Sequence, residues 1–268
     1  MFVFDYHLHS LASDGSFSPE SVVSFAHRNG VNSISLTDHD TISGLEKARI
    51  MAQNLGIEFI DGVELEADIS PYQYCHILAY YIKNLNMLDN YLYTLRKERI
   101  NIITAYIHLL QNQNYSITFD DVRALSPGEH LTPMHIATWL YLNNHYSSFQ
   151  EAKKAYLVPG TYNYIPRIYH SYIDILKLID NCGGVSVLAH PFRLNFDNEV
   201  LEQFVNKLKL HGLKGIEAYY SYHTSSQVNF CLYLAKKYNL VVTGGSDWHC
   251  FEDRKEIGIK LPNDVKLF

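Results

Sequence analysis

Residues 5–22 read DYHLHSLASDGSFSPESV and contain a predicted strand, a turn and the start of a predicted helix. Successive side chains on a strand point to opposite faces, so His7 and His9 share one face while Tyr6 and Leu8 share the other. A histidine on a strand is often an ordinary core or surface residue. Two imidazoles side by side on one face also suit a metal site, because histidine is the commonest metal ligand. The pair alone leaves both interpretations open.

The residues around this stretch predict alternating strands and helices. Ser18 is a favoured N-cap, Pro19 a favoured first helical residue, and an apolar stripe leads to Gly30, which ends the helix. The segments NSISLT, IEFIDGVELEA and YCHILAYYI are typical of strands, and residues 43–55 of a second helix. This β-α-β-α-β order predicts a parallel sheet with right-handed crossovers, which could close into a barrel.

The alternation stops in the middle of the chain. Segments such as LDNYLYTLRKERINIITAYIHLLQ have helical periodicity and no strand-like alternation. Strand-like segments return in VSVLAH, KGIEAYY and LVVTGGSDWH, each preceded by a helical segment. We therefore expect an α/β barrel domain formed by residues 1–84 and 166–268, with a helical subdomain inserted over residues 85–165.

The composition predicts a soluble globular protein of the cytoplasm. Hydrophobic residues make up 47% of the 268 residues and charged residues 19%. We expect neither a signal peptide nor a membrane span, and four scattered cysteines favour neither a disulfide framework nor a thiolate zinc site. A net charge of -6 argues against binding long nucleic acid. Bound metal ions would still permit an anionic small molecule. We expect a monomer or weak dimer.

Metal-capable side chains occur beside the predicted strands, in LTDHD, GVE, LAH and GGSDWH. The carboxyl ends of parallel strands meet at one end of an α/β barrel, where such folds place their chemistry. The candidate ligands, all nitrogen or oxygen donors, are His7, His9, Asp14, His39, Glu64, His76, His190, Asp247 and His249. This donor set suits manganese, zinc or iron and exceeds the needs of one ion, so we expect two or three divalent ions. Adjacent divalent ions can clamp a phosphoryl oxygen and acidify a bound water.

The motifs HLHSLASDG, SLTDHDTISG, GVELEA, HILAY, AHP and GGSDWH resemble those of the polymerase and histidinol phosphatase (PHP) family of metal-dependent phosphoesterases. The resemblance covers residues 1–81 and roughly 166–260, with the motifs in the expected order. It is closest to the stand-alone members that act on nucleoside 3',5'-bisphosphates and on short RNA 5' ends. The resemblance implies a distorted (β/α)7 barrel with a helical insertion.

The resemblance also implies three metal sites, with Glu64 bridging the first two. The remaining ligands would be His7, His9 and Asp247 for the first ion, His76 and His190 for the second, and Asp14, His39 and His249 for the third. By the same analogy, a hydroxide that bridges two metal ions attacks phosphorus. Asp40 could orient a ligand or accept a proton, or be a solvated loop carboxylate or a helix cap. Asp38, on the other side of His39, could likewise orient a ligand or accept a proton, or be a solvated loop carboxylate or a helix cap.

Substrate contacts depart from the family pattern. Relatives often have an arginine before the histidine of an RPHIA-like motif, but LTPMHIATWL retains only His135, which we expect to contact substrate. Relatives also often have a lysine before an AYVP-like segment, and GTYNYIPR has none. Arg167 or Arg193 could replace these cations, since an arginine fork suits phosphate, or could be an ordinary surface arginine. His223 in EAYYSYHT is either a phosphate or leaving-group contact or a plain loop histidine.

These features predict a metal-dependent phosphoesterase acting on a small phosphorylated metabolite or nucleotide. One alternative is a 5'-3' exonuclease on short oligonucleotides, which the net acidity and the two missing cations weaken. Another is a non-catalytic, metal-stabilised regulatory module, like the inactive PHP domains of some polymerases. Such modules tend to lose ligands, whereas all nine positions here carry competent residue types.

Overall fold

Strands and helices alternate near both ends of the chain, and helices fill the described part of its middle. The computed structural model describes residues 2–70, 73–126, 130–166, 170–249 and 256–260. The strands in these residues are β1 (Val3–Leu8), β2 (Ser33–Leu36), β3 (Glu58–Ser70), β4 (Gln73–Tyr80), β5 (Val185–Leu188), β6 (Gly215–Tyr220), β7 (Val241–Gly245) and β8 (Ile259–Lys260). The helices are α1 (Pro19–Arg28), α2 (Leu45–Leu55), α3 (Leu85–Asn112), α4 (Phe119–Ala124), α5 (Pro133–Leu142), α6 (Phe149–Tyr156), α7 (Tyr172–Asn181), α8 (Asn198–Leu210) and α9 (Ser225–Tyr238), with a 3₁₀ turn at Pro191–Leu194.

The strands form one sheet in the order β7-β6-β5-β4-β3-β2-β1-β8. The segment after β7 returns to β1: the Asp247 N–H donates to the His7 carbonyl (2.8 Å), and the His9 N–H donates to the Trp248 carbonyl (3.0 Å). The two-residue β8 pairs antiparallel with the start of β1. The sheet is therefore a nearly closed barrel with helices between its strands, which confirms the predicted α/β fold class.

Among the strands predicted from the sequence, β4 departs from the parallel direction. β4 is antiparallel to both of its neighbours, β3 and β5. Only two residues separate β3 from β4, whereas parallel neighbours need a crossover of about a dozen residues or more. The first half of β4 therefore meets the carboxyl ends of the adjacent strands. His76 shows this placement, since its carbonyl accepts a hydrogen bond from the N–H of Ala189, the residue after β5 (3.1 Å).

Helices α1 and α2 pack on the outside of the first strands. As predicted, Ser18 caps α1, and its hydroxyl oxygen accepts a hydrogen bond from the Ser21 N–H (3.2 Å). The apolar stripes of both helices join side chains from β1 and β2 in one buried cluster, which includes Leu8, Val22, Val23, Ala26, Ile34, Leu36, Ala48, Ala52 and Trp248. Burying each large side chain of this kind contributes about 1.5–3 kcal/mol. This packing holds β1 against the neighbouring strands.

The chain divides into two compact units. One comprises Met1–Asp89 with Tyr169–Phe268, and the other comprises Asn90–Ile168. The second unit has its own buried cluster, in which the Tyr106 hydroxyl donates to the Tyr156 carbonyl (3.1 Å). The predicted domain bounds, residues 1–84 with 166–268 for the barrel and residues 85–165 for the helical insertion, stay a prediction. Among the described helices, none is long and apolar enough to cross a membrane.

Candidate metal centre

Glu64, in the middle of β3, is completely buried and lies among five histidine rings. Its Oε2 atom is 3.2 Å from His7 Nε2, 3.3 Å from His9 Nε2 and 3.2 Å from His39 Nδ1. Its Oε1 atom is 2.8 Å from His76 Nδ1 and 3.1 Å from His190 Nε2. A single carboxylate thus contacts imidazoles carried by four different strands or the turns that follow them.

The backbone explains how these side chains meet. His7 lies in β1 and His9 directly after it, and both rings reach Glu64 as the alternation predicts. His39 follows β2 and pairs with Glu64 in an isolated parallel bridge. The N–H of the next residue, Asp40, donates to the Glu64 carbonyl (3.0 Å). The ends of β1 and β2 are therefore locked beside the middle of β3.

Two aspartates and a further histidine complete the cluster. The Oδ1 atom of Asp247 is 3.3 Å from His9 Nε2. The Oδ1 atom of Asp14 is 3.4 Å from His249 Nε2, and its Oδ2 atom is 3.8 Å from His39 Nε2. All nine residues predicted as ligands therefore converge in one place; we call His7, His9, Asp14, His39, Glu64, His76, His190, Asp247 and His249 the donor cluster.

The donor cluster contains three overlapping groups whose ligand atoms lie within 4.8 Å of one another. The groups are His7, His9, Glu64 and Asp247; His9, Asp14, His39 and His249; and His39, Glu64 and His76. They overlap strongly with the implied sets, although none of them includes His190, whose Nε2 contacts Glu64 and whose ring lies beside those of His7 and His76. His9 and His39 each belong to two groups, so a strict partition among three ions does not follow from geometry.

The chemistry of the donor atoms fits divalent cations. Several buried side-chain atoms have no hydrogen-bond partner within the described residues: His7 Nε2, both ring nitrogens of His9, Glu64 Oε2 and His76 Nε2. Buried polar atoms normally have partners, because leaving them unpaired is costly. Imidazole nitrogens and carboxylate oxygens that converge with unused lone pairs are the ligands that zinc, manganese and iron take.

Without a metal ion, the carboxylates and histidines perturb each other strongly. Burial disfavours the charged form of His9, but Asp247 and Glu64 outweigh it and raise its pKa to about 10. Burial also opposes the charge of His7, yet Glu64 and Glu217 raise its pKa well above the ordinary value. The pKa of Glu64 falls well below its usual range, because the surrounding histidines overcome the effect of burial. A metal ion must therefore compete with protons for these rings.

Glu217, a functional candidate that the sequence analysis missed, supports two members of the donor cluster. This completely buried residue of β6 places its Oε1 atom 3.0 Å from His7 Nδ1. Its Oε2 atom accepts a hydrogen bond from the backbone N–H of His190 (2.7 Å). A carboxylate on Nδ1 leaves Nε2 of His7 to ligate a metal ion. The sequence feature that could have identified Glu217 is its position as a lone acidic residue inside the apolar strand KGIEAYY.

Asp247 is oriented from outside the donor cluster. Its Oδ2 atom accepts hydrogen bonds from the Arg193 guanidinium (3.0 Å) and the Tyr220 hydroxyl (3.1 Å), which turns Oδ1 toward His9. Arg193, a predicted substrate contact, thus lies at the edge of the cluster with its side chain 57% exposed.

Asp38 holds the loop that carries Asp14. Its carboxylate accepts hydrogen bonds from the N–H and hydroxyl of Ser10 (both 2.7 Å) and from the hydroxyl of Ser13 (2.6 Å). Asp40 is also buried, with only 1% exposure, so it is not a solvated loop carboxylate. It does not cap α2 either, because Gly44 occupies that position.

The other predicted substrate contacts have different settings. Nδ1 of His223 donates to the Ala218 carbonyl (3.0 Å), and its ring packs edge-on against Tyr220. His135 belongs to the helical unit, where its Nδ1 accepts a hydrogen bond from the Thr132 N–H (3.0 Å) at the start of α5. Arg167 lies outside the described residues.

Comparisons with known proteins agree with this geometry. The family model for the PHP domain matches residues 5–177. A 5'-3' exoribonuclease of Haemophilus influenzae is 30% identical over 92% of the chain and 89% of the relative. A 3',5'-nucleoside bisphosphate phosphatase of Chromobacterium violaceum is 27% identical over 91% of the chain and 86% of the relative.

Two further matches cover nearly the whole chain. A phosphoribosyl 1,2-cyclic phosphate 1,2-diphosphodiesterase of Eggerthella lenta is 30% identical over 96% of the chain and 98% of the relative. The crystal structure of an amidohydrolase from Chromobacterium violaceum with bound sulfate and no metal superposes with a TM-score of 0.82, at 26% identity, over 97% of the chain and 92% of that structure. The matched relatives therefore include hydrolases of phosphate monoesters and of diesters.

Proposed function

Because the chain belongs to the PHP domain family and is a metal-dependent hydrolase of phosphate esters, we propose that it removes phosphate from a small phosphorylated metabolite or nucleotide. The observation that carries this proposal is the convergence of Glu64 and eight other residues with nitrogen or oxygen donor atoms in one cluster. Such a cluster suits several adjacent cations, which are the usual means of neutralising a phosphoryl group during hydrolysis.

We propose two or three divalent ions of manganese, zinc or iron. One ion would be held by His7, His9, Glu64 and Asp247. A second would be held by His76 and His190 together with Glu64, and a third by Asp14, His39 and His249. Bound ions would supply positive charge for phosphoryl oxygens and acidify a coordinated water. Three such ions would outweigh the charge of the three carboxylates, making the centre electropositive inside an acidic protein.

Residues next to the donor cluster orient its side chains. Glu217 holds the His7 ring so that Nε2 faces Glu64, and it fixes the backbone at His190. Arg193 orients Asp247, and its exposed guanidinium can also donate to a phosphate oxygen. We propose that buried Asp40 positions its neighbour His39, since its backbone is hydrogen-bonded to Glu64.

The remaining proposed substrate contacts are His223, His135 and Arg167. We propose a role near the leaving group for His223, which follows β6 and whose ring contacts Tyr220, itself hydrogen-bonded to Asp247. For His135 and Arg167, the proposed contact with substrate is based on their positions in the segments LTPMHIATWL and GTYNYIPR.

Elemental analysis together with a phosphoester panel tests the proposal. Purified protein should contain divalent metal and, with manganese added, release inorganic phosphate from at least one nucleotide or sugar phosphomonoester. His9→Ala, which removes a ligand from two of the groups, should lose both metal and activity. Phosphate release that persists in metal-stripped protein would contradict the proposal.

A 5'-3' exonuclease on short oligonucleotides is the second candidate, favoured by the similarity to the Haemophilus influenzae enzyme. A 5'-phosphorylated oligomer distinguishes the two: an exonuclease produces mononucleotides step by step, whereas a phosphatase releases only phosphate. Full metal loading without hydrolysis of any probe would instead favour a non-catalytic, metal-stabilised regulatory module.

We propose a cytoplasmic location and small substrates rather than long nucleic acid. Cys75, Cys182 and Cys231 are free and buried, which suits a reducing compartment. The net charge of -6 disfavours a long polyanion. The expected monomer or weak dimer remains a prediction that sedimentation or light scattering can check.

A further inference from the structure

A cavity of about 270 Å³ opens beside the donor cluster. Its lining includes Tyr74, His76, His190, Arg193 and Asn195, and we call it the Tyr74 cavity. His76 and His190 both contact the same oxygen of Glu64, so one wall of the cavity belongs to the donor cluster. Ligand sites for drug-sized molecules usually measure about 300–1,000 Å³, so the cavity suits part of a nucleotide rather than a whole one.

Tyr74 supplies an aromatic wall to this cavity. Residues 74 and 76 are two apart in β4, so their side chains share a face of the strand. The Tyr74 and His76 rings are stacked, with centroids 5.5 Å apart and planes inclined by 23°. Tyr74 remains 40% exposed. An exposed aromatic ring next to a phosphate-processing centre is the kind of surface on which nucleobases stack.

Arg193 adds positive charge to the same cavity. One of its guanidinium nitrogens donates to Asp247 (3.0 Å), while 57% of the side chain remains exposed. Guanidinium groups pair with phosphate oxygens and also stack on aromatic rings. The cavity thus combines a planar aromatic surface, a cation and direct access to the donor cluster, which together match a nucleotide better than a plain sugar phosphate.

We propose that the Tyr74 cavity binds the nucleobase of a nucleotide substrate, with the base against the Tyr74 ring and the scissile phosphate at the donor cluster. This inference rests on the proposed function and narrows its substrate class to nucleotides. Because every base has an aromatic face, stacking of this kind selects for a base without selecting among bases.

Kinetics with matched probes test the inference. The probes are adenosine 3',5'-bisphosphate and the corresponding 1-methoxyribose 3',5'-bisphosphate, which lacks a base. Tyr74→Ala should raise KM for the nucleotide roughly 5- to 100-fold with kcat little changed, as expected from loss of base stacking, and leave KM for the abasic probe unchanged. Tyr74→Phe should retain wild-type values. Tyr233→Ala, which removes an exposed tyrosine of α9, is the matched control.

A binding measurement separates this inference from the proposed function. The fluorescence of 2-aminopurine riboside 3',5'-bisphosphate should be quenched by wild-type protein and by Tyr74→Phe, but not by Tyr74→Ala. Absence of quenching by wild-type protein would overturn the inference even if phosphate is released. Failure of wild-type protein to release phosphate from these probes and from every other member of the phosphoester panel would contradict the proposed function, while quenching would still support the base site.

Two outcomes would assign Tyr74 to a structural role instead. An equal rise of KM for the nucleotide and the abasic probe would mean that the base is not what Tyr74 contacts. Loss of bound metal from Tyr74→Ala, with metal retained by Tyr74→Phe, would mean that the ring acts by holding His76. Either result overturns the inference, and elemental analysis of each variant reports the second directly.

Discussion

At the scale of the residue, the buried carboxylates of Glu64 and Glu217 position the histidines of the donor cluster. Glu64 contacts five imidazoles, and Glu217 supports two of the same residues from behind, through the ring of His7 and the backbone of His190. Neither glutamate is exposed, so each depends on the surrounding donors to offset the cost of burying its charge. The two glutamates therefore share His7 and His190 as neighbours, which Glu64 contacts through Nε2 of each ring and Glu217 through His7 Nδ1 and the His190 N–H.

Replacing Glu217 by glutamine should weaken metal binding by roughly 10- to 100-fold, the usual effect of losing such a supporting group. An amide has only one oxygen, so it cannot accept from both the His7 ring and the His190 N–H. Titration of stripped protein with zinc measures the affinity, and ¹⁵N NMR of the zinc-loaded protein reports whether the His7 proton remains on Nδ1. Glu199→Gln, at an exposed position in α8, is the control. Unchanged affinity in E217Q would contradict this role.

Proton competition predicts that the free energy of unfolding depends on pH differently in metal-free and metal-loaded protein. In the folded metal-free protein the pKa of His9 is about 10, above its ordinary 6.5, so its protonation stabilises the fold most fully below pH 6.5. That stabilisation is lost as pH rises toward 10. Metal binding needs the neutral ring and should strengthen over the same range.

Urea denaturation between pH 6.5 and 8.5 checks this prediction. The free energy of unfolding should fall with rising pH in chelator and fall less, or rise, with saturating manganese. Parallel curves for the two preparations would show that protons on the donor cluster do not compete with the metal.

At the scale of the element, residues that follow three of the strands have unusual backbone conformations. Asp40, His190 and Asp247 have positive φ angles of 50°, 26° and 55°, and each follows β2, β5 or β7. Such conformations are unfavourable for residues with a Cβ and persist only where the surroundings enforce them. From these turns the side chains of His190 and Asp247 reach Glu64 and His9.

Gly245, at the end of β7, sets how closely that strand approaches β1. A Cβ added there would overlap the Cβ and the backbone nitrogen of His7. Gly245→Ala should therefore destabilise the fold by about 1–3 kcal/mol and also weaken metal binding, because His7 must move. Gly30→Ala is the comparison, since Gly30 has φ 74° and open space, so its cost of about 1–2 kcal/mol comes from the backbone alone.

Denaturation and metal titration of both variants separate the two effects. Gly30→Ala should keep wild-type metal affinity. If Gly245→Ala also keeps it, the close approach of β7 to β1 does not control the position of His7.

At the scale of the whole molecule, the donor cluster joins strands that are distant in sequence, so metal ions should tie the barrel together. A ligand at about 1,000 times its Kd stabilises a protein by about 4 kcal/mol, which corresponds to a Tm change on the order of 10 °C for a chain of this size. We expect chelation to lower Tm by that amount and added manganese to restore it. Differential scanning calorimetry checks the shift.

His9→Ala provides the control for this prediction, since it removes a donor shared by two groups. Its Tm should respond little to chelator or manganese. An unchanged Tm of wild-type protein in chelator would contradict a structural contribution of the metal.

Local rules explain why much of the fold could be predicted from the residues. The cap at Ser18, the end of the second helix at residue 55 and the alternation in β1 depend on neighbours within a few positions, and these features form where predicted. The direction of β4 and the role of Glu217 depend on contacts with distant strands, so local patterns did not reveal them.

The amino-acid sequence by itself determined the residue types of the donor set, the order of strands and helices, and the family to which the chain belongs. These follow from periodicity, capping and motif order, which are local properties. The tertiary structure alone decided that eight donor residues cluster with Glu64, that Glu217 and Arg193 support them, and that Tyr74 lines a cavity beside them. Barrel closure brings together residues more than 200 positions apart, and no local pattern encodes such distances.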